Sequence, residues 1–152
     1  MRYAVLVMVG AMGCGPSAAE IRSARDATYA MDAPHLMQVA MEVANDQVGI
    51  AAVDPAQLTF VTKSVRSNGG GTAYGCARGA WRVAVHSTDL GRSFVRITPI
   101  AQASLTVCSV SRTGGTSTPT WVDVTPAAAG LDAFLEHHGD KLSLAIYQRA
   151  SR

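Results

Sequence analysis

Any chemistry in this chain has to come from three cysteines, four histidines and a small set of carboxylates and arginines. The histidines are His35, His86, His137 and His138. Neighbours in sequence point apart on a helix, and useful ligand pairs stand three or four residues apart. His137 and His138 therefore do not share an ion, and neither has a further cysteine or histidine at metal-ligand spacing. Asp132 and Glu136 are one helical turn apart, which suits a helix surface better than the facing carboxylates of an acid/base pair. Cys108 and His86 form a nucleophile–base candidate if both project from one sheet face, but nothing supplies an orienting third group or oxyanion donors. The stretch "SNGGGTAYGCARG", residues 67–79, is rich in glycine. It has neither the Lys-Ser/Thr pair nor the following helix of a phosphate cradle, and it reads as a surface loop. These residues predict no catalytic centre, no metal site and no cofactor, so no enzyme.

Charge is distributed unevenly. Residues 63–112 hold Lys63, Arg66, Arg78, Arg82, Arg92, Arg96 and Arg112 against Asp89 alone, a net of +6 (seven minus one). Residues 14–62 hold Arg22 and Arg25 against six acids, a net of −4 (two minus six). The overall +2 is too small to imply nucleic acid. Of the 13 basic residues only Lys63 and Lys141 are lysines, and arginine favours planar, bidentate partners such as carboxylate and phosphate.

The elements that must position these groups follow from periodicity and punctuation. Ser17 with Glu20 has the spacing of a capping box, so residues 14–30 are a short helix or a tether. Asp32 and Pro34 mark a helix start; Leu36, Val39, Ala40 and Val43 then share one face, and Gly49 lies beyond the end. Asp54-Pro55 turns a hairpin whose second strand alternates through Leu58, Phe60 and Thr62. Trp81, Val83 and Val85 alternate with Arg82, Ala84 and His86, and Asp89-Leu90-Gly91 fits a three-residue hairpin connection with glycine in the left-handed position. That register pairs Val85 with Val95, Val83 with Ile97 and Trp81 with Pro99. A further turn at Ile100-Ala101-Gln102 would bring back a third strand, with Leu105 opposite Ile97 and Val107 opposite Val95. The meander places Arg82, His86 and Arg96 together on the outward face, a candidate surface for lipid headgroups, cell-wall polymer or an acidic protein patch. The alternative is a solubilising face neutralised by the acidic half of the chain. The C-terminus is helical in one or two pieces, with Gly139 as the dividing point.

The opening residues set the compartment. Arg2 and the amino terminus precede an apolar run from Tyr3 to Met12, too short to span a bilayer core, which takes about 20 helical residues. A basic start, an apolar run and small residues read as an export signal. "AMGC", Ala11 to Cys14, resembles the lipobox of bacterial lipoproteins, with Ala11 where that family most often has leucine. The resemblance implies removal of residues 1–13, diacylglycerol on the Cys14 thiol and a lipid-anchored location in the cell envelope. With Gly15 following the cysteine, it implies the outer membrane facing the periplasm. Nucleic acid is excluded as a partner by that compartment. Cys76 and Cys108 then remain in an oxidising environment where disulfides persist. The meander sets Cys108 beside His86, far along the strand from Cys76, and a bridge needs Cα atoms within about 7 Å. Pairing thus requires the glycine-rich loop to fold back, and both states stay open.

Residues 31–152 are expected to form one α+β domain: a single antiparallel sheet, a hairpin plus a three-stranded meander, with an N-terminal and a C-terminal helix on one face. On "VDPAQLTFVTK" and "GDKLSLAIYQR" the pattern is similar to small tethered envelope lipoproteins and to the helix-grip domains of the lipoprotein subunit of the outer-membrane β-barrel assembly machinery. What this implies is a non-catalytic interaction or assembly module, or a small ligand-binding domain using the space between sheet and C-terminal helix.

Overall fold

The computed structural model describes residues 15–67, 76–104 and 119–152. Cys14, Cys108 and the expected strand at Leu105 to Val107 lie outside them. Within the described residues the chain is α+β, with all strands in one antiparallel sheet. In order it forms α1 (Ala18–Arg25), β1 (Thr28–Tyr29), α2 (Ala33–Gln47), β2 (Ile50–Asp54), β3 (Thr59–Thr62), β4 (Val65–Arg66), β5 (Cys76–Ser87), β6 (Ser93–Ser104), β7 (Trp121–Val124), α3 (Pro126–Ala129) and α4 (Asp132–Ala150).

The local rules account for most of these boundaries. The Ser17 hydroxyl accepts from the Glu20 amide and the Glu20 carboxylate accepts from the Ser17 amide, closing the capping box of α1. Asp32 caps α2 by accepting from the His35 amide, with Pro34 in the first turn. In the β5–β6 hairpin the Thr88 amide donates to the Arg92 carbonyl, and Gly91 takes φ +67°. The register agrees with the expected one: Val85 faces Val95, Val83 faces Ile97 and Trp81 faces Pro99.

The sheet runs β1–β6–β5–β3–β2, with β4 also on β5 and β7 also on β6. Helices α2 and α4 pack on the face that carries Trp81, Val83 and Val85. Trp81, Phe60, Leu36, Leu131, Leu135, Leu142 and Ile146 are its largest fully buried apolar side chains. Two buried hydroxyls are satisfied there: Thr62 Oγ1 accepts from the Trp81 amide at 3.0 Å, and Ser93 Oγ donates to the Met31 carbonyl at 2.7 Å.

Two expectations need correction, and two open alternatives are decided. No turn occurs at Ile100-Ala101-Gln102; β6 continues to Ser104, which pairs with Cys76, and β7 lies beside its far end. The glycine-rich stretch is not wholly loop, because Cys76–Gly79 is the first third of β5, held between β6 and the short β4. Finally, α4 is unbroken through Gly139. A Cβ at Gly139 would stand 3.3 Å from Trp81 Nε1, so the glycine lets the helix approach the indole rather than ending the helix. The residues ahead of β1 form helix α1, which docks on α4, so they are not a free tether.

Candidate functional site

Two surfaces merit consideration, one on each side of the sheet. The outward face carries the even-numbered residues of β5 and β6. Arg82, His86 and Arg96 are all exposed on it, as the alternation predicts, and Arg96, on the open edge of β6, also borders the cavity on the other side. His86 stacks on its cross-strand neighbour Phe94, with ring centroids 5.0 Å apart. Among the described residues neither Arg82 nor Arg96 makes an ion pair. The ion pairs among the described residues use others: Arg25 with Glu136 and Asp140, and Arg149 with Glu42 and Asp46.

The same face holds groups that strand-by-strand reading missed. Arg78 lies 4.1 Å above the centre of the Trp121 ring and donates through Nε to Gln102 Oε1 at 2.8 Å. Gln102 in turn donates to Asp123 Oδ1 at 2.8 Å. Arg66 faces Arg78 directly across β4 and β5. Partial burial and that neighbouring charge lower the pKa of Arg78, which leaves a site where added negative charge is favoured. Nothing in the sequence pairs Trp121 with Arg78, because β7 reaches β6 only after residues 105–118, and the two meet through register. Ser104, at the end of β6, is buried.

On the helix side, a cavity of about 710 Å³ opens between β6, the end of α1 and α4. Its apolar wall is Trp81, Val95, Ile97, Pro99 and Leu135. Trp81 is 1% exposed and its Nε1 donates to the Leu135 carbonyl at 3.1 Å, which fixes the back of the cavity to α4. Asp132, Glu136 and Asp140 fall on one helical stripe and line the opposite side. Arg25, far off in sequence, donates from Nε to Asp140 Oδ1 at 2.7 Å and from Nη2 to Glu136 Oε1 at 3.1 Å. These bonds raise the Arg25 pKa still further above neutrality, Asp140 contributing most. Asp26 and Asp132 also line the cavity and make no ion pair among the described residues. The acidic stripe was legible in the spacing of Asp132 and Glu136; its meeting with Arg25 was not.

No protein-family model matches the chain. No curated protein matches it significantly.

Among the described residues no three histidine, cysteine or acidic side chains gather to hold a metal ion. His138 packs at a tilt against Phe134 and Trp81, with ring centroids 4.5 and 5.8 Å away. Burial, with His137 and Lys141 nearby, lowers its pKa. No described helix is long and apolar enough to cross a membrane. Cys76 is disulfide-bonded, and both other cysteines of the chain lie outside the described residues. The geometric objection to Cys108 as its partner rested on the turn at 100–102. With β6 straight to Ser104 opposite Cys76, that objection falls.

Proposed function

We propose that this protein is a non-catalytic domain held at a bacterial envelope membrane by lipid on Cys14, presenting its arginine-bearing sheet face to an anionic partner. The supporting observation is that Arg82 and Arg96 stand exposed and without ion pairs on the sheet face that no described helix covers. A lipid anchor would hold such a face near headgroups, envelope polymer or the acidic surface of a neighbouring protein. One acyl chain binds a bilayer only marginally, whereas two or three anchor it stably. With Cys14 acylated, the bridge of Cys76 pairs it with Cys108.

Replacing Cys14 with serine should move the protein from the membrane to the soluble fraction. That released variant should bind vesicles containing an anionic lipid at low salt and lose them at high salt, since exposed charges are screened. Adding Arg82→Glu and Arg96→Glu should abolish the binding. Peptide mapping supplies an independent check, because a Cys76–Cys14 linkage would exclude acylation of Cys14 and end this reading.

A second reading has its own support. The cavity between β6 and α4 has the volume and the mixed apolar and polar lining of a ligand site.

A further inference from the structure

The cavity lies where β6 has no neighbouring strand among the described residues. β1 pairs with Ser93 and Phe94, and β7 pairs with Ala101 to Ser104. Val95 to Ile100 thus form an edge that no described strand covers. Both flanking strands leave the sheet there, β1 coming from α1 and β7 passing into α3.

The ladder decides which backbone groups face that edge. The Thr88 amide donates to the Arg92 carbonyl across the hairpin. The amides of Trp81 and Val85 point the other way, to Thr62 Oγ1 and the Leu58 carbonyl on the β3 side. These directions alternate along an antiparallel pair, so odd-numbered residues of β6 aim their peptide groups at the open edge. Ile97 offers an N–H and a C=O there, and Pro99 a C=O alone. The side chains of Val95, Ile97 and Pro99 line the cavity beside it.

We propose that this edge and cavity together receive an extended peptide from another protein, added to β6 as a short antiparallel strand, with an apolar and a basic residue two positions apart entering the cavity. The inference rests on the second reading above, that the cavity is a binding site. Three features select this occupant. Unpaired peptide groups call for matching peptide groups, which strand addition supplies and a compact apolar ligand does not. The gap spans about 20 Å at ~3.4 Å per residue and is closed at both ends by β1 and β7, so it admits a segment of about six residues and not the long edge of a second copy. The lining carries Asp26, Asp132, Glu136 and Asp140 against Arg25 and Arg96; with Arg25 already engaged by Glu136 and Asp140, Asp26 and Asp132 await a cation. Pro99 confines pairing to one end of the gap, the kind of restraint that keeps an open edge from pairing indiscriminately.

The experiment uses the isotope-labelled full chain and pools of acetylated hexapeptides, each with one position randomised. Binding pools should favour lysine or arginine two residues from valine, isoleucine or leucine. The best peptide should slow hydrogen exchange of the Ile97 amide at least tenfold. N-methylating its amides that face β6, with side chains unchanged, should weaken binding at least tenfold. Asp26→Asn with Asp132→Asn should remove the preference for a basic residue. If the N-methylated peptide binds as well, strand addition is wrong while the cavity remains a site. If acidic residues are preferred, the recognition proposed here is wrong. If no pool binds, the proposal and the ligand-binding reading fall together.

Discussion

The sheet is closed under α2 and open beside α4, though one helix layer covers both regions. Against α2, Leu36, Ala40 and Ala44 are completely buried with Phe60 and Val83. Beside α4, the same layer leaves a cavity of about 710 Å³. The two helices differ in what their stripes carry. The inward stripe of α2 is apolar throughout, so it can dock flat on the sheet. On α4, Leu135, Leu142 and Ile146 dock, but the adjoining stripe of Asp132, Glu136 and Asp140 faces Val95 and Ile97. Pressing carboxylates onto those side chains would strip their water without replacing it. The opening is therefore built into the residues of α4.

The largest expected effect contrasts the two regions directly. Leu36→Ala, in the closed part, should cost about 2–5 kcal/mol in urea unfolding because it leaves a void. Ile97→Ala, on the cavity wall, should cost about 1 kcal/mol, since no new enclosed space forms. Equal losses would mean that the cavity is closed in solution.

Next comes Tyr29, whose burial, with Tyr147 nearby, pushes its pKa from 10.0 to about 12. The folded state holds this proton more tightly than the unfolded chain. Its contribution is complete below pH 10 and is lost as pH rises toward about 12, a change of about 2–3 kcal/mol at 1.36 kcal/mol per unit. Stability curves of wild type and Tyr29→Phe should separate in that window, the variant losing less on going from pH 10 to 12.

Gly139→Ala should destabilise by about 1–3 kcal/mol through overpacking against Trp81, and the indole fluorescence should shift with it. The smallest effect is expected from Arg25→Gln. Its ion pairs are partly exposed, so unfolding should change by only about 0.2–1 kcal/mol. The same variant leaves Glu136 and Asp140 unpaired, so it should tighten binding of any cationic ligand in the cavity even as stability hardly moves.

Much of this was readable residue by residue. Asp32 and Pro34 start α2 with a cap and a fixed φ, both local effects. The alternation of Trp81, Val83 and Val85, joined through Asp89-Leu90-Gly91, sets register because a slip by one residue would invert both faces. The outward placement of Arg82, His86 and Arg96 follows from that register alone. Where the reading failed, a local breaker was neutralised by a distant partner. A turn was expected at Ile100-Ala101-Gln102, just past Pro99, yet the missing N–H of Pro99 faces the open edge, so the ladder with β5 continues past it to Ser104. Gly79 looked like loop, yet a Cβ there would meet Leu135 of α4, so a strand glycine is what lets the two close.

Spacing within a segment thus determined the helices, the central hairpin and the charge borne by each face, because those depend on interactions among residues a few positions apart. Tertiary structure alone decided that Arg25 meets Glu136 and Asp140, that Arg78 lies over Trp121, and that β1 and β7 leave part of β6 uncovered. Each of those joins segments far apart in the chain, and their meeting depends on how whole elements pack rather than on any local preference.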